Sequence, residues 1–175
     1  MILTNELESK RRITKNELLT LIKKEAALIN INKIMLATAF LRMDAKYMQS
    51  PYREDYIERF SKAFFARIKN VKDDETNYKG YVNINKLREF LETLNKQLEE
   101  ADNHAEQCFF NIAGIIAIYT TFIREESIHP IGTKFPGGLA LKYNHGKYYC
   151  PVKEKQLKNP SALCRFCVSI QDERL

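Results

Sequence analysis

Three cysteines clustered near the carboxyl end, Cys150, Cys164 and Cys167, are the residues of this 175-residue chain whose type and spacing most suggest chemistry. Thiolates bind zinc and iron–sulfur clusters, and a C-x-x-C pair lets one turn of chain present two of them. Cys164 and Cys167 form such a pair, and Cys150 lies thirteen intervening residues upstream. The remaining cysteine, Cys108, supplies a fourth ligand if the tail packs against it. His104, one helical turn earlier, and His129 and His145, which flank or enter the tail, are the alternatives. A second C-x-x-C pair, which would make the signal far more specific, is missing. For Cys108 the bland reading is a packed core thiol, because free cysteine is among the most buried residue types.

Two other chemistries use the same stretch. Cys150 beside His129 or His145 has the composition of a thiol nucleophile and its base, although sequence alone does not bring them together. Thioredoxin-like use of Cys164 and Cys167 expects a neighbouring βαβ pattern, which the chain lacks. Tyr143, Tyr148, Tyr149 and Phe166 interleave with Lys142, Lys147 and Arg165. Such a basic aromatic tail can stack bases and contact phosphates of a nucleic acid, or form a small core around a metal.

Two further motifs are weaker. Phe135-Pro136-Gly137-Gly138 fits a type II turn whose N–H groups, with Lys134, suit an anion, but no phosphate-loop signature is present. Glu75 to Lys86 imitates a calcium-binding loop. It carries Lys79 at the fifth place and Lys86 at the twelfth, where a bidentate carboxylate belongs, so a helix-capping loop is the better reading.

The elements that must position these residues are mostly helices. Thr14-Lys15-Asn16-Glu17 reads as a capping box, and Leu18, Ile22, Ala26 and Ile29 follow as one apolar stripe. A second helix, about Asn32 to Gln49, carries two stripes and so predicts burial on more than one side. Ser50-Pro51 starts a third, with Ile57, Phe60, Phe64 and Ile68 at helical spacing. A polar loop over about 72–83 precedes a fourth helix marked by Leu87, Phe90, Leu91, Leu94 and Leu98. Asp102-Asn103 breaks the chain, and Asn103 caps a fifth, nearly all-apolar helix reaching about Glu125. Gln107 to Ile123 is uncharged but shorter than the roughly 20 residues of a membrane span, which predicts a central bundle helix and no span.

Composition changes near His129. Four of the six glycines and four of the five prolines lie beyond it, which predicts turns and short strands. Asn159-Pro160 reads as the start of a short terminal helix bearing Cys164 and Cys167. The net charge of +6 is concentrated there, with +5 over residues 131–175. That excess either attracts nucleic acid or offsets ionised thiols. The amino terminus lacks the apolar core of a signal peptide, so reduced thiols in the cytoplasm are expected rather than a disulfide framework.

The run from His129-Pro130-Ile131-Gly132-Thr133-Lys134 through Gly138, then Tyr149-Cys150-Pro151-Val152 and Cys164-Arg165-Phe166-Cys167, resembles the end of an uncharacterised archaeal family. This is protein family 0305, also known as domain of unknown function 2115. The resemblance implies an archaeal cytoplasmic setting and one domain, and it carries no activity, cofactor or catalytic residue with it. The reading is therefore a mainly α protein, a single bundle-like domain over 1–175 with a five-helix body at 14–125. An irregular Gly/Pro/Cys-rich tail at 129–175 packs on it and ends in a short helix. A zinc ion or iron–sulfur cluster held by Cys150, Cys164, Cys167 and Cys108 is expected to pin that tail.

Overall fold

The computed structural model describes residues 7, 10–50, 52–135 and 138–173. Five helices form the body: α1 (Lys15–Ala27), α2 (Ile31–Asp44), α3 (Tyr52–Asp73), α4 (Ile84–Glu100) and α5 (His104–Ile118). A 3-10 turn, Ala45–Tyr47, continues α2, and a π-helical turn, Tyr119–Arg124, continues α5. The tail contains β1 (Lys142–Asn144), β2 (Lys147–Cys150), the short helix α6 (Lys153–Leu157), a 3-10 turn (Leu163–Phe166) and β3 (Ile170–Gln171). The protein is mainly α, as expected.

Local chemistry sets most of the helix starts. Thr14 Oγ1 accepts the Glu17 N–H at 3.1 Å while the Glu17 carboxylate accepts the Thr14 N–H at 2.8 Å, a complete capping box. Asn30, Asn83 and Asn103 cap α2, α4 and α5, each accepting from the N–H three residues on. Caps of this kind contribute about 1 kcal/mol each. The calcium-loop imitation accordingly ends in the Asn83 cap, with Lys86 already inside α4. Pro51, expected to open α3, lies outside the described residues, and α3 begins at Tyr52.

Helix α5 occupies the centre. Ile112, Ile115, Ile116, Ala117 and Ile118 are all buried, and α1, α2, α3 and α4 pack around it. By length and composition His104–Arg124 is apolar enough to cross a membrane, yet 67% of that stretch is buried inside the fold, as in a core helix. At Gly114 a Cβ would run into the side chain of Leu94, so the missing methyl lets α4 and α5 approach closely. The two-sided burial expected of α2 is corrected. Ile34, Ala37 and Leu41 are buried, but of the second stripe Met43 is 65% and Tyr47 87% exposed. Only Phe40 of that stripe meets a ring, Phe109 at 5.1 Å.

The π turn widens the end of the central helix and stops at Glu125, which has a left-handed φ of 56°. It aims the fully buried Tyr119 at Asp74, whose carboxylate accepts from the hydroxyls of Tyr119 at 2.7 Å and Tyr78 at 2.8 Å. Arg124 and Arg67 both bond the Glu126 carboxylate, tying the turn to α3.

In the tail, β2 pairs antiparallel with β1 and parallel with β3. His145 and Gly146 make the β1–β2 turn with φ of 46° and 76°, both positive, as a tight hairpin turn requires. The tail is moored to the body by rings: Phe166 packs edge-on against Phe90 at 5.4 Å, and Phe90 against Phe122 at 5.7 Å. The terminal helix expected at Asn159-Pro160 is corrected. Asn159 opens a turn, closed by the Ala162 N–H on its carbonyl at 3.1 Å. Cys164 then lies in the 3-10 turn and Cys167 follows it in extended backbone. The buried Phe166 ring, held edge-on against Phe90, fixes this 3-10 geometry between the two cysteines.

Candidate thiol site

The three tail cysteines arrive at one place by different routes. Cys150 ends strand β2, Cys164 sits in the 3-10 turn, and Cys167 directly follows Phe166, the ring that anchors that turn. All three line a single cavity of about 280 Å³ together with His129, Phe135, Lys153 and Ser169. Cys150 and Cys167 are buried, and Cys164 is half-buried.

Two of the three sulfurs have polar company. The Ile128 N–H points at Cys167 Sγ from 3.3 Å, and Ser169 Oγ lies 3.3 Å away on another side. The Val152 backbone amide acts to lower the Cys150 thiol, against the burial that raises it. Burial, then the neighbouring Cys167 and Cys150, push the Cys164 thiol up to about 11. Cys150 is raised as well, first by burial. The protein alone therefore keeps these two groups as neutral thiols at ordinary pH. The shared influence also shows that the three sulfurs lie within electrostatic range of one another.

Lys153 is the residue that sequence reasoning missed. Only 6% exposed, it sends its ammonium to the carbonyl oxygens of Cys164 at 3.3 Å, Arg165 at 2.9 Å and Cys167 at 2.8 Å. Three carbonyls caging one cation fix the C-x-x-C turn and leave a positive charge beside the thiols. Nothing in the sequence marks this lysine among the seven others of the tail's basic residues; only its position one turn after Cys150 hints at it. Its cage also answers the premise that a metal alone could hold the tail. The ammonium, the Phe166 anchor and the three-stranded sheet already do so.

His129 closes the cavity on the body side. Its ring stands edge-on to Phe60 and to Phe135, 5.5 Å from each, and burial drives its pKa down to about 4. It is thus a neutral imidazole, the form a metal takes up. With Cys150 it shares the cavity, but a thiol raised and an imidazole lowered are the opposite of a thiolate–imidazolium pair.

The other candidates lie elsewhere. Cys108 is buried on α5, with its sulfur 3.7 Å from His104 Nε2 and Lys33 of α2 as its charged neighbour. It does not line the thiol cavity, and neither does His104 or His145. His104 is exposed at the start of α5 and His145 is spent on the hairpin turn. Among the described residues, no three His, Cys, Asp or Glu side chains form a group that could hold a single ion. The thiols ring a space rather than meet at a point.

The basic aromatic tail is divided. Arg165 turns inward over the Phe166 ring, 4.5 Å from its centroid, and bonds Thr93; Lys142 pairs with Asp172. Tyr143 and Tyr148 stack on each other at 4.7 Å on the hairpin. The turn at residues 135–138 is closed by the Gly138 N–H on the Phe135 carbonyl at 3.1 Å, while its central Pro136 and Gly137 lie outside the described residues.

Residues 14–172 match the family model described as "Uncharacterized protein conserved in archaea (DUF2115)". A UPF0305 protein of Methanothermobacter thermautotrophicus is 48% identical over 160 residues, covering 91% of this chain and 98% of that relative. A second from the same organism is 30% identical over 154 residues, covering 88% and 94%. A UPF0305 protein of Methanocaldococcus jannaschii is 34% identical over 155 residues, covering 87% and 93%. No solved structure matches. With nearly its whole length matched, the chain belongs to this uncharacterised archaeal family, DUF2115 or UPF0305.

Proposed function

We propose that the protein is a metalloprotein whose tail binds zinc or an iron–sulfur cluster through Cys150, Cys164 and Cys167, with His129 as the fourth donor. The observation that carries the proposal is that three thiols from two backbone segments and one neutral imidazole wall the same cavity. Backbone amides acting on Cys150 and Cys167, and the fixed charge of Lys153, suit thiolates once a metal has displaced their protons. His129 takes the place expected of Cys108, which lies outside the cavity.

The shape of the site bears on which group it takes. A zinc ion gathers its thiolates about 2.3 Å from one centre, whereas a cluster of iron and sulfide holds them at separate corners. A roomy cavity with dispersed thiols favours the cluster, and zinc requires the walls to close inward.

The test is elemental analysis of anaerobically purified protein together with its visible spectrum. Iron with an equal amount of acid-labile sulfide and absorption near 400 nm supports the cluster; about one zinc per chain without sulfide supports the ion. Either metal must be lost in Cys164→Ser and in His129→Ala. Protein that contains neither, with all four thiols freely titratable after unfolding, overturns the proposal.

A further inference from the structure

A second cavity lies on the far side of the His129 partition, and its lining is of a different kind. It measures about 520 Å³ and is walled by Tyr47, Tyr52, Tyr56, Phe60 and Phe135, with Arg59 and Lys134 at its rim. These residues come from two sources, the 3-10 turn and first turns of α3 on one side and Thr133, Lys134 and Phe135 on the other. Tyr52, Tyr56 and Phe60 follow at intervals of four and so project from one face of α3. Tyr56 and Phe60 stack at 4.5 Å.

The polar groups of the cavity are few and unevenly charged. Arg59 directs Nε to both oxygens of Asp55 at 2.9 Å, and its Nη1 lies on the side of Gly132 where a Cβ would meet it. Lys134 is exposed and makes no ion pair among the described residues, although it is near enough to help lower the Asp55 carboxyl. Among the lining residues two cations therefore face one carboxylate that is already engaged, Asp44 standing outside the lining but near enough to act on the Tyr56 phenol. The phenol of Tyr56 has no hydrogen-bond partner among the described residues, and burial, then the Asp44 charge, push it up to about 12. It remains a protonated donor. Aromatic walls, one surplus cation and an unused hydroxyl describe a site for a flat ring that carries negative charge.

We infer that this cavity binds a planar aromatic anion, its ring stacked among Tyr52, Tyr56 and Phe135 and its charged group on Lys134 and the free end of Arg59. The site goes beyond the metal centre proposed above and stands without it. Phe135 lines both cavities, and the His129 ring that meets Phe60 and Phe135 forms the wall between them. A ligand here would lie against the back of the thiol site.

The full chain is titrated with 1-anilinonaphthalene-8-sulfonate and with its uncharged counterpart, N-phenyl-1-naphthylamine, by fluorescence. The expected result is one site for the sulfonate, with the uncharged dye at least tenfold weaker. Lys134→Ala and Tyr52→Ala, both at exposed positions, should each weaken the sulfonate at least tenfold, while Met35→Ser on the exposed side of α2 should leave it unchanged. Displacement by adenosine 5′-monophosphate assigns a phosphate-bearing heterocycle, and displacement by indole-3-acetate an aromatic carboxylate. Equal binding of the two dyes, indifference to Lys134→Ala and Tyr52→Ala, or displacement by neither competitor overturns the inference. Because these readouts use no metal, they fail or succeed independently of the thiol centre.

Discussion

Lys153 Nζ lies 2.8 Å from the carbonyl oxygen of Cys167, bonding the backbone of the very turn whose side chains face the cavity. The two further carbonyls it binds make the ammonium the keystone of the C-x-x-C segment. Lys153→Met should leave these acceptors unpaired and lower stability by about 2–4 kcal/mol. Thermal unfolding would then move down by about 4–16 °C for a chain of this size. Amide exchange should rise at 164–167 before it rises in α5. A stability loss under about 1 kcal/mol would mean that the carbonyls find other donors.

The Tyr119–Asp74 pair yields a dependence on acid. Burial tends to raise the Asp74 carboxyl, but hydrogen bonds from Tyr119, Thr76 and Tyr78 outweigh it and hold the value at about 2, below the ordinary 3.8. A depressed carboxyl contributes stability that is full above the unfolded value and lost as pH falls through the folded one. Tyr119→Phe should therefore cost about 1.5–3 kcal/mol at pH 7, the range for a hydrogen bond to a charged group. The difference between the two proteins should shrink as pH falls from 3.8 to about 2. Urea unfolding across that window measures it; a difference independent of pH would assign the loss to packing.

Gly114 and Leu94 are coupled by space. Alanine is a better helix former than glycine by about 1 kcal/mol, yet its methyl would strike the Leu94 side chain. Gly114→Ala should consequently destabilise by about 1–3 kcal/mol. In a Leu94→Ala background the same change should be neutral or favourable. A double-mutant cycle by chemical denaturation tests this, and additive effects would show that α4 shifts freely.

Cys108 separates the thiol centre from the core. If His129 rather than Cys108 completes the metal site, Cys108→Ala keeps its full metal content while Cys167→Ser does not. The core change should cost about 1 kcal/mol through lost packing around a buried side chain. Metal analysis of the two purified variants decides it, and loss of metal from Cys108→Ala would reinstate the α5 sulfur as a ligand.

How much of this was legible in the sequence depended on the range of the forces involved. Thr14 and Asn103 announce helix starts because a cap acts across three residues, and both cap as read. The approach of Cys150, Cys164 and Cys167 to one cavity was legible because only the tail had to fold locally to bring them there. The failures were long-range. The outer stripe of α2 has the spacing of a buried face but no neighbour to cover Met43. Asn159-Pro160 has the chemistry of a helix start, but packing of Phe166 on Phe90 sets the local geometry instead. Lys153 looked like one more surface charge because its three carbonyl partners are bonded only after the chain has turned back on itself.

The widened turn at Tyr119–Arg124 makes the length of the central helix unusually hard to edit. Removing one residue there would rotate everything beyond it by about 100° around the axis. Tyr119 would stay facing Asp74, while Arg124 and Glu126 would swing together away from the Tyr119 hydroxyl and from Arg67, and carry the approach to His129 with them. A single-codon deletion in this short stretch should thus be far more damaging than the same deletion in the neighbouring loop, because it would re-index the whole tail against the helices that carry it.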